Sequence, residues 1–524
     1  MKSFEFRVTL LWFFLFSGLV AYCFVLCGHH LIYSLDDAYI HLDLARNILH
    51  GNYGINAGES ASPSSSVIWP WLLAATQLLG LGSAAPLVLN AAVAAATVYV
   101  SARLLRRLGL ADEKTGFGMT LGMGLAVIFA ASALALPMTG MEHTLQVLTV
   151  VLVMEGLIAV SEGAPPAPLF MAALVAMPLV RFEGMALFLA AAAALWLQGH
   201  RRAAVTAAGV LFCCLAAYEG LMIHLGLPML PSSVLVKLCY DIVPAGKALS
   251  LRYIGGHDLI VYDLKRSFEA GLGKIYLGFL LYLIVMAFRQ RKDPRRKYVY
   301  VPVICAIMAQ LVCEKSEGLM ARYAVYVIEM TFLTMCYSLS AMPALSARAR
   351  RLLLLCLALP AVYLNVLAAF VTPAGAHAIY GQHYQMHRFV NDYYRGPVAS
   401  SELGLLGYHN RNYVLDLWGL GSMDVYRLRS ARAFNAAALD GLVKKHKVHL
   451  VMIFRRWFRH NTPQDWRLIG VLHVRKDIYG TPDMAFYATP GADRRRIVQD
   501  LRKFEPTLPK ETKFLENAAY FKGA

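Results

Sequence analysis

The chain has 524 residues, of which 58% are hydrophobic and 16% charged, and its formal net charge is +17. A mean hydropathy of +0.50 excludes an ordinary soluble globule. Positive charge on so apolar a chain points to membrane surfaces and lipid phosphates and away from nucleic acid.

Apolar runs recur at close to the roughly 20 residues that cross about 30 Å of hydrocarbon. The first, 8–28, follows Lys2 and Arg7 and exceeds the roughly 7–15 residues of a cleaved signal core, so it is expected to stay as an anchor. Further spans are expected near 85–102, 117–136, 143–160, 168–180, 184–198, 203–224, 271–288, 298–313, 322–341 and 351–371, eleven crossings in all. With the N-terminus inside, the basic clusters Arg103 to Lys114, Arg201–Arg202, Arg289 to Lys297 and Arg348 to Arg351 all fall in cytoplasmic loops. The apolar stretch 67–79 is short and holds Pro70, so it is read as a juxtamembrane or re-entrant helix. The result is a polytopic α-helical membrane module over 1–371, with large outer loops at 29–66 and 225–270.

From 372 to 524 the composition turns ordinary. Short strand-like runs at 397–400, 413–417 and 448–454 alternate with helical stretches at 433–446 and 492–504, which predicts a small extracytoplasmic α/β domain. It contains none of the nine cysteines and therefore no disulfide.

With that topology the residues suited to chemistry lie on one membrane face. Asp36 and Asp37 follow the first span; Glu142 and His143, then Arg181 and Glu183, sit at span ends; Lys237 is in the second large loop, and Glu317 and Arg322 precede a late span. Ionisable groups at a bilayer edge are costly and tend to mark function. Structural alternatives stand beside each. Ser34-x-x-Asp37 matches a capping box, with Ile40, Leu44 and Ile48 continuing a helix that Gly51 ends. Glu142-His143 would cap a span, Arg181 and Glu183 would pair with each other, Lys237 would be a solvated lysine, and Arg322 would snorkel.

The ordered motifs Asp36-Asp37-Ala38-Tyr39-Ile40, Asn47, Gly51, Tyr53-Gly54, Asn56, Gly58-Glu59 and Ser62-Pro63-Ser64 resemble the first outer loop of bacterial GT-C glycosyltransferases that use polyprenyl-phosphate sugars. They look most like the terminal cell-wall arabinofuranosyltransferases. Gly140-Met141-Glu142, Arg181-Phe182-Glu183-Gly184, Pro231-Ser232-Ser233 with Lys237, Arg322-Tyr323, Ser401-Glu402-Leu403-Gly404 and Asp416-Leu417-Trp418-Gly419 follow in the family's order. Phe182, Ser232-Ser233 and Glu402 depart from the usual residues there.

The resemblance implies an inverting transfer of a sugar, such as a pentofuranose, from a polyprenyl phosphate to a cell-envelope glycan, lipid or surface protein outside the inner membrane. Asp36 is expected as general base with Asp37 beside it. Lys237, Arg322 and Arg181 would hold the donor phosphate, and Glu142, His143, Glu183, His41 and Glu59 would contact substrate. The lipid-linked sugar is the sole cofactor-like partner implied, a divalent cation being compatible with paired carboxylates but not required. A monomer among membrane lipids is expected. The competing class is a transporter or flippase of a polyprenyl-linked substrate, which calls for internal repeats and a midplane site that the sequence does not display.

Overall fold

The structure, a computed structural model, describes residues 3–112, 115–241, 271–313, 319–342, 344–475 and 477–517. For 237–241, 313, 319 and 361 it describes the backbone alone. Eleven apolar helices stand where the hydropathy places spans: α1 (Phe4–Leu26), α4 (Ala85–Arg107), α5 (Phe117–Ala130), α6 (His143–Ser161), α7 (Pro168–Val180), α8 (Gly184–Leu197), α9 (Arg201–His224), α11 (Leu272–Arg289), α12 (Lys297–Cys313), α13 (Val325–Ser340) and α14 (Ala347–Ile379). Seven apolar helical segments of at least 18 residues are long and apolar enough to cross a bilayer, α5 counting among them only with its continuation to Met138; α7, α8, α12 and α13 are shorter. The chain is a polytopic membrane protein.

Three further helices belong to the loops: α2 (Asp37–Leu49), α3 (Trp69–Leu78) and α10 (Ser232–Asp241). Ten residues give α3 a length of about 15 Å, half of what a crossing needs. It packs on α2, whose buried face includes Tyr39, Leu42 and Leu44.

Helix α14 does not stop near 371. It continues to Ile379 through Pro373, widens into a π turn at Tyr380–Tyr384, and ends after a second one at Phe389–Tyr394, where Arg395 takes a left-handed conformation. A six-stranded sheet follows, in the order β2-β1-β3-β5-β4-β6. Its strands are β1 (Val398–Ser400), β2 (Val414–Asp416), β3 (Leu450–Ile453), β4 (Arg467–Val474), β5 (Asp483–Ala488) and β6 (Thr512–Glu516). β1 runs parallel to β2 and β3, and the other pairings are antiparallel.

Side chains alternate between the two faces of a strand, and here both faces are buried. Ala399, Leu415, Val451 and Ile453 pack under α15 (Met423–Ser430) and α16 (Ala436–Lys445), with Val425, Leu439 and Val443. Their neighbours Val398, Leu450, Met452 and Phe486 join the core that continues into the helical bundle. Phe389 of the second π turn stacks near Phe486 and near Phe504 of α17 (Arg494–Phe504), so the wide end of the long helix is a wall of the sheet domain.

The first loop closes the sheet's edge. Asn56 donates to the Val414 carbonyl at 3.0 Å and accepts from the Val414 N–H at 2.9 Å, as a neighbouring strand would. Asn56→Ala strands both buried groups at an unsatisfied-group cost of about 1–3 kcal/mol each. We expect the variant to lower the melting temperature and to open the 398–416 region to protease; unchanged melting and cleavage would show that the contact contributes nothing.

Candidate active site at the mouth of the helical bundle

Ser34 donates to the Met138 carbonyl through both its N–H (2.9 Å) and its hydroxyl (3.0 Å). The capping-box reading is thereby replaced: Ser34 ties the loop to the bundle, and Asp36, not Ser34, takes the position before α2. Asp36 occupies the position before α2 in helical conformation, with no side-chain cap bond. Its carboxylate reaches the C-terminal domain, where Oδ2 accepts the Gly404 N–H at 2.8 Å and Oδ1 the Leu405 N–H at 2.9 Å. A Cβ on Gly404 would lie 2.1 Å from the Asp36 carbonyl oxygen and 2.6 Å from Oδ2. Glycine is required there by the closeness of the two backbones.

Asp37 points the other way, its Oδ2 2.9 Å from Arg322 Nη1, with the carboxylate 42% exposed. Snorkelling is therefore not what Arg322 does. The chain turns sharply before it, with Met320 at φ 61° and Ala321 at φ 54°. These are uncommon values for non-glycine residues, and they accompany functional sites. The guanidinium lies 5.0 Å from the centre of the Tyr323 ring and bonds its hydroxyl at 3.1 Å. Arg181 lies 5.2 Å from the same ring, and the His143 ring packs 5.3 Å from it.

Arg181 ends α7 in an extended conformation, in the short turn to α8. It is held by Glu142 at 2.9 Å, by the Ser65 hydroxyl at 2.7 Å and by both carboxylate oxygens of Glu183. Glu142 also faces His41 Nε2 at 3.6 Å. Burial lowers the His41 pKa, against the pull of Glu142 and Asp37. The expected local pair of Arg181 and Glu183 exists, inside a larger network, and it leaves Arg322 as the cation nearest the Asp pair among the described side chains.

Glu59, expected as a substrate contact, lies where the first loop meets the sheet domain. Its carboxylate accepts from the Tyr413 hydroxyl at 2.8 Å, from Asn56 at 3.2 Å and from the Met423 N–H at 3.2 Å, so it clasps the first loop to the sheet domain. The backbone of Lys237 lies in α10, whose first residue Ser232 is tied to Ser62 and to the Leu420 carbonyl. The Lys237 side chain and all of Glu317 lie outside the described residues.

Two groups that no sequence spacing indicated sit beside Asp36. His383, in the first π turn, places Nε2 3.5 Å from Glu402 Oε2. Its ring is buried, and neither nitrogen has a hydrogen bond among the described residues. π turns inside helices are frequent at functional positions. Tyr479 closes the cluster by donating to the Ser34 carbonyl. Burial raises the Asp36 pKa above the usual carboxylate range, opposed by His383 and the Leu405 N–H and reinforced by Asp37. Burial, with the charges of Asp36, Asp37 and Asp416, pushes Glu402 further up, while burial lowers His383. Among the described residues no three of His, Cys, Asp and Glu are arranged to hold a metal ion.

An apolar cavity of about 930 Å³ lies along α1, α5 and α14, lined by Leu15, Leu19, Tyr22, Phe129 and Phe370, with His377 and Asp477 also in its wall. Asp477 accepts the Tyr479 N–H at 3.0 Å, which connects the cavity to the cluster around Ser34 and Asp36.

A family model described as a domain of unknown function (DUF8728) matches residues 376–487, from the end of α14 through β5. No curated protein matches the chain. Among solved structures it is similar to the crystal structure of ArnT from Cupriavidus metallidurans in the apo state, with 13% identity and a TM-score of 0.51 over 91% of this chain and 97% of that one. The likeness is one of fold, and it spans the helical bundle and the C-terminal domain together.

Gly404→Ala should cost about 1–3 kcal/mol, as overpacking of a tight site does. Gly441→Ala, whose added Cβ meets nothing within 4 Å and which lies inside α16, should instead gain about 0.5–1 kcal/mol. Melting temperatures of the two variants check the pair, and equal shifts would deny the close approach at Asp36.

Proposed function

We propose that the chain is an inverting glycosyltransferase that takes a sugar from a polyprenyl phosphate and passes it to an acceptor at the cell envelope. The observation that carries this reading is the Asp36 carboxylate fixed by two backbone N–H groups, next to an Asp37–Arg322 pair at the bundle mouth. A general base has to be ionised, positioned and basic enough to take a proton near neutral pH. Asp36 meets this through its two fixed bonds and its raised pKa. Asp37 is engaged by Arg322, which argues for Asp36 as the base.

In the proposed reaction an acceptor hydroxyl gives its proton to Asp36 as its oxygen attacks the anomeric carbon. The bond from that carbon to the phosphate oxygen breaks, and the polyprenyl phosphate leaves with the electron pair. A single displacement inverts the anomeric centre. Arg322 stabilises the charge that develops on the phosphate, and Lys237 is the second cation that the sequence nominates, its side chain lying outside the described residues. Arg181, with three partners already, orders Glu142, Glu183 and the Tyr323 ring and positions Arg322. The apolar cavity along α1 and α14 suits an isoprenoid tail. The basic clusters in the loops opposite the site support an extracytoplasmic reaction at the bacterial inner membrane. A pentofuranose donor is favoured by the resemblance of the first loop, and a flippase is disfavoured because the charged groups gather at helix ends.

Purified protein incubated with labelled polyprenyl-phosphate pentoses, aminopentoses and hexoses should consume at least one donor. Asp36→Asn should slow that consumption by about 10²–10⁴-fold, while donor consumption untouched in the variant, or absent from the whole panel with wild type, overturns the assignment. Activity should also fall on acidification through a pKa above the ordinary aspartate value of about 4, because the base must be ionised and its pKa is raised. Asp37→Asn, by removing a neighbouring negative charge, should move that acid limb to lower pH, and His383→Gln should move it higher. Rate–pH profiles of the three proteins decide this.

A further inference from the structure

A second cavity, of about 920 Å³, lies where the first loop meets the sheet domain and differs in kind from the apolar one. One wall is the end of α2 and the loop after it, with Arg46, His50 and Asn52; the other is the connection from β1 to β2, with His409, Arg411 and Asn412. Among the described residues no carboxylate lines it. Its size falls in the range of roughly 300–1,000 Å³ typical of ligand pockets, and amides, imidazoles and guanidinium groups suit hydroxyls and anionic substituents rather than an alkyl chain.

The walls are preorganised. Arg46 is fixed by Asp43 at 3.0 Å and by His409 Nδ1 at 3.1 Å. His50 Nδ1 bonds the Arg46 carbonyl at 2.8 Å, so that nitrogen carries a proton. Asn410 Oδ1 receives the backbone N–H of Asn412 at 2.9 Å and its side-chain amide at 3.3 Å. Arg411, exposed, forms no ion pair among the described residues.

The cleft is joined to the Asp pair through both walls. Helix α2 starts at Asp37 and carries Arg46 in its last turn, nine residues and about 14 Å further along. The helical turn Gly404–Gly407 holds Asp36 with its first amides and lines the cleft with Gly407. We infer that this cleft binds the sugar units of the acceptor that precede the reacting one, which makes the acceptor an oligosaccharide or polysaccharide. The inference rests on the glycosyl-transfer reading for the word acceptor, and on the cleft alone for glycan binding.

The test measures binding of arabino-, galacto-, gluco- and galacturono-oligosaccharides, as mono- and tetrasaccharides, to the full chain in detergent. At least one tetrasaccharide should bind, at least tenfold more tightly than its monosaccharide. Arg411→Glu should change that affinity at least tenfold, weakening a neutral or anionic glycan, and Asp36→Asn should leave it in place. Binding by no member of the panel, or the same affinity in Arg411→Glu, overturns the inference. Donor consumption separates the two readings: consumption without glycan binding removes the cleft assignment alone, and glycan binding without consumption removes the transferase assignment alone.

Discussion

One carboxylate holds the site together. Asp36 belongs by sequence to the first loop of the membrane module, and the two amides that receive it belong to the domain 368 and 369 residues later. A carboxylate partly withdrawn from water needs donors to stay ionised, and the first turn of a short helix supplies them in a fixed direction. The glycine at 404 lets the two backbones come close enough. The consequence is that neither part holds this carboxylate by itself: the bundle provides the group, and the sheet domain provides its orientation.

Around that contact the charges are organised by a single aromatic ring. Tyr323 lies between Arg322 and Arg181, and each guanidinium answers a different set of acids, Asp37 for one and Glu142 with Glu183 for the other. Two like charges on one ring would repel unless each were neutralised, and the acids do this. In the proposed reaction, displacing Asp37 from Arg322 presents a cation to the donor phosphate and leaves Arg181 with its own acids.

The spans were legible because long apolar runs have one physical meaning, and the strands 398–400, 414–416 and 450–453 because short apolar runs between turn residues leave few alternatives. Asp36, Asp37, Arg181, Arg322 and Glu142 were visible as ionisable groups at span ends, and the structure brings them together. Their partners were not visible: Asp37 and Arg322 are 285 positions apart, and no local pattern encodes a contact of that range. Glu59 looked like a substrate contact because it stood in the right loop, and only the fold discloses that Tyr413 and the Met423 amide occupy it. His383 carried no signal, being one of three histidines in a tyrosine-rich stretch whose π turn a 3.6-residue periodicity does not anticipate. Lys237 remains known as a position on α10.

The side chain of Asn56 standing in for a strand has a bearing on how the protein is made. The edge of β2 is a row of backbone groups that would pair with any extended segment nearby, and its natural cover is synthesised 358 residues earlier. The first loop must therefore wait, already in place on the bundle, until the last quarter of the chain emerges, and the sheet cannot be finished without it. Completion of the domain is tied to correct insertion of the helices upstream, so a chain threaded with the wrong topology would be left with a bare edge.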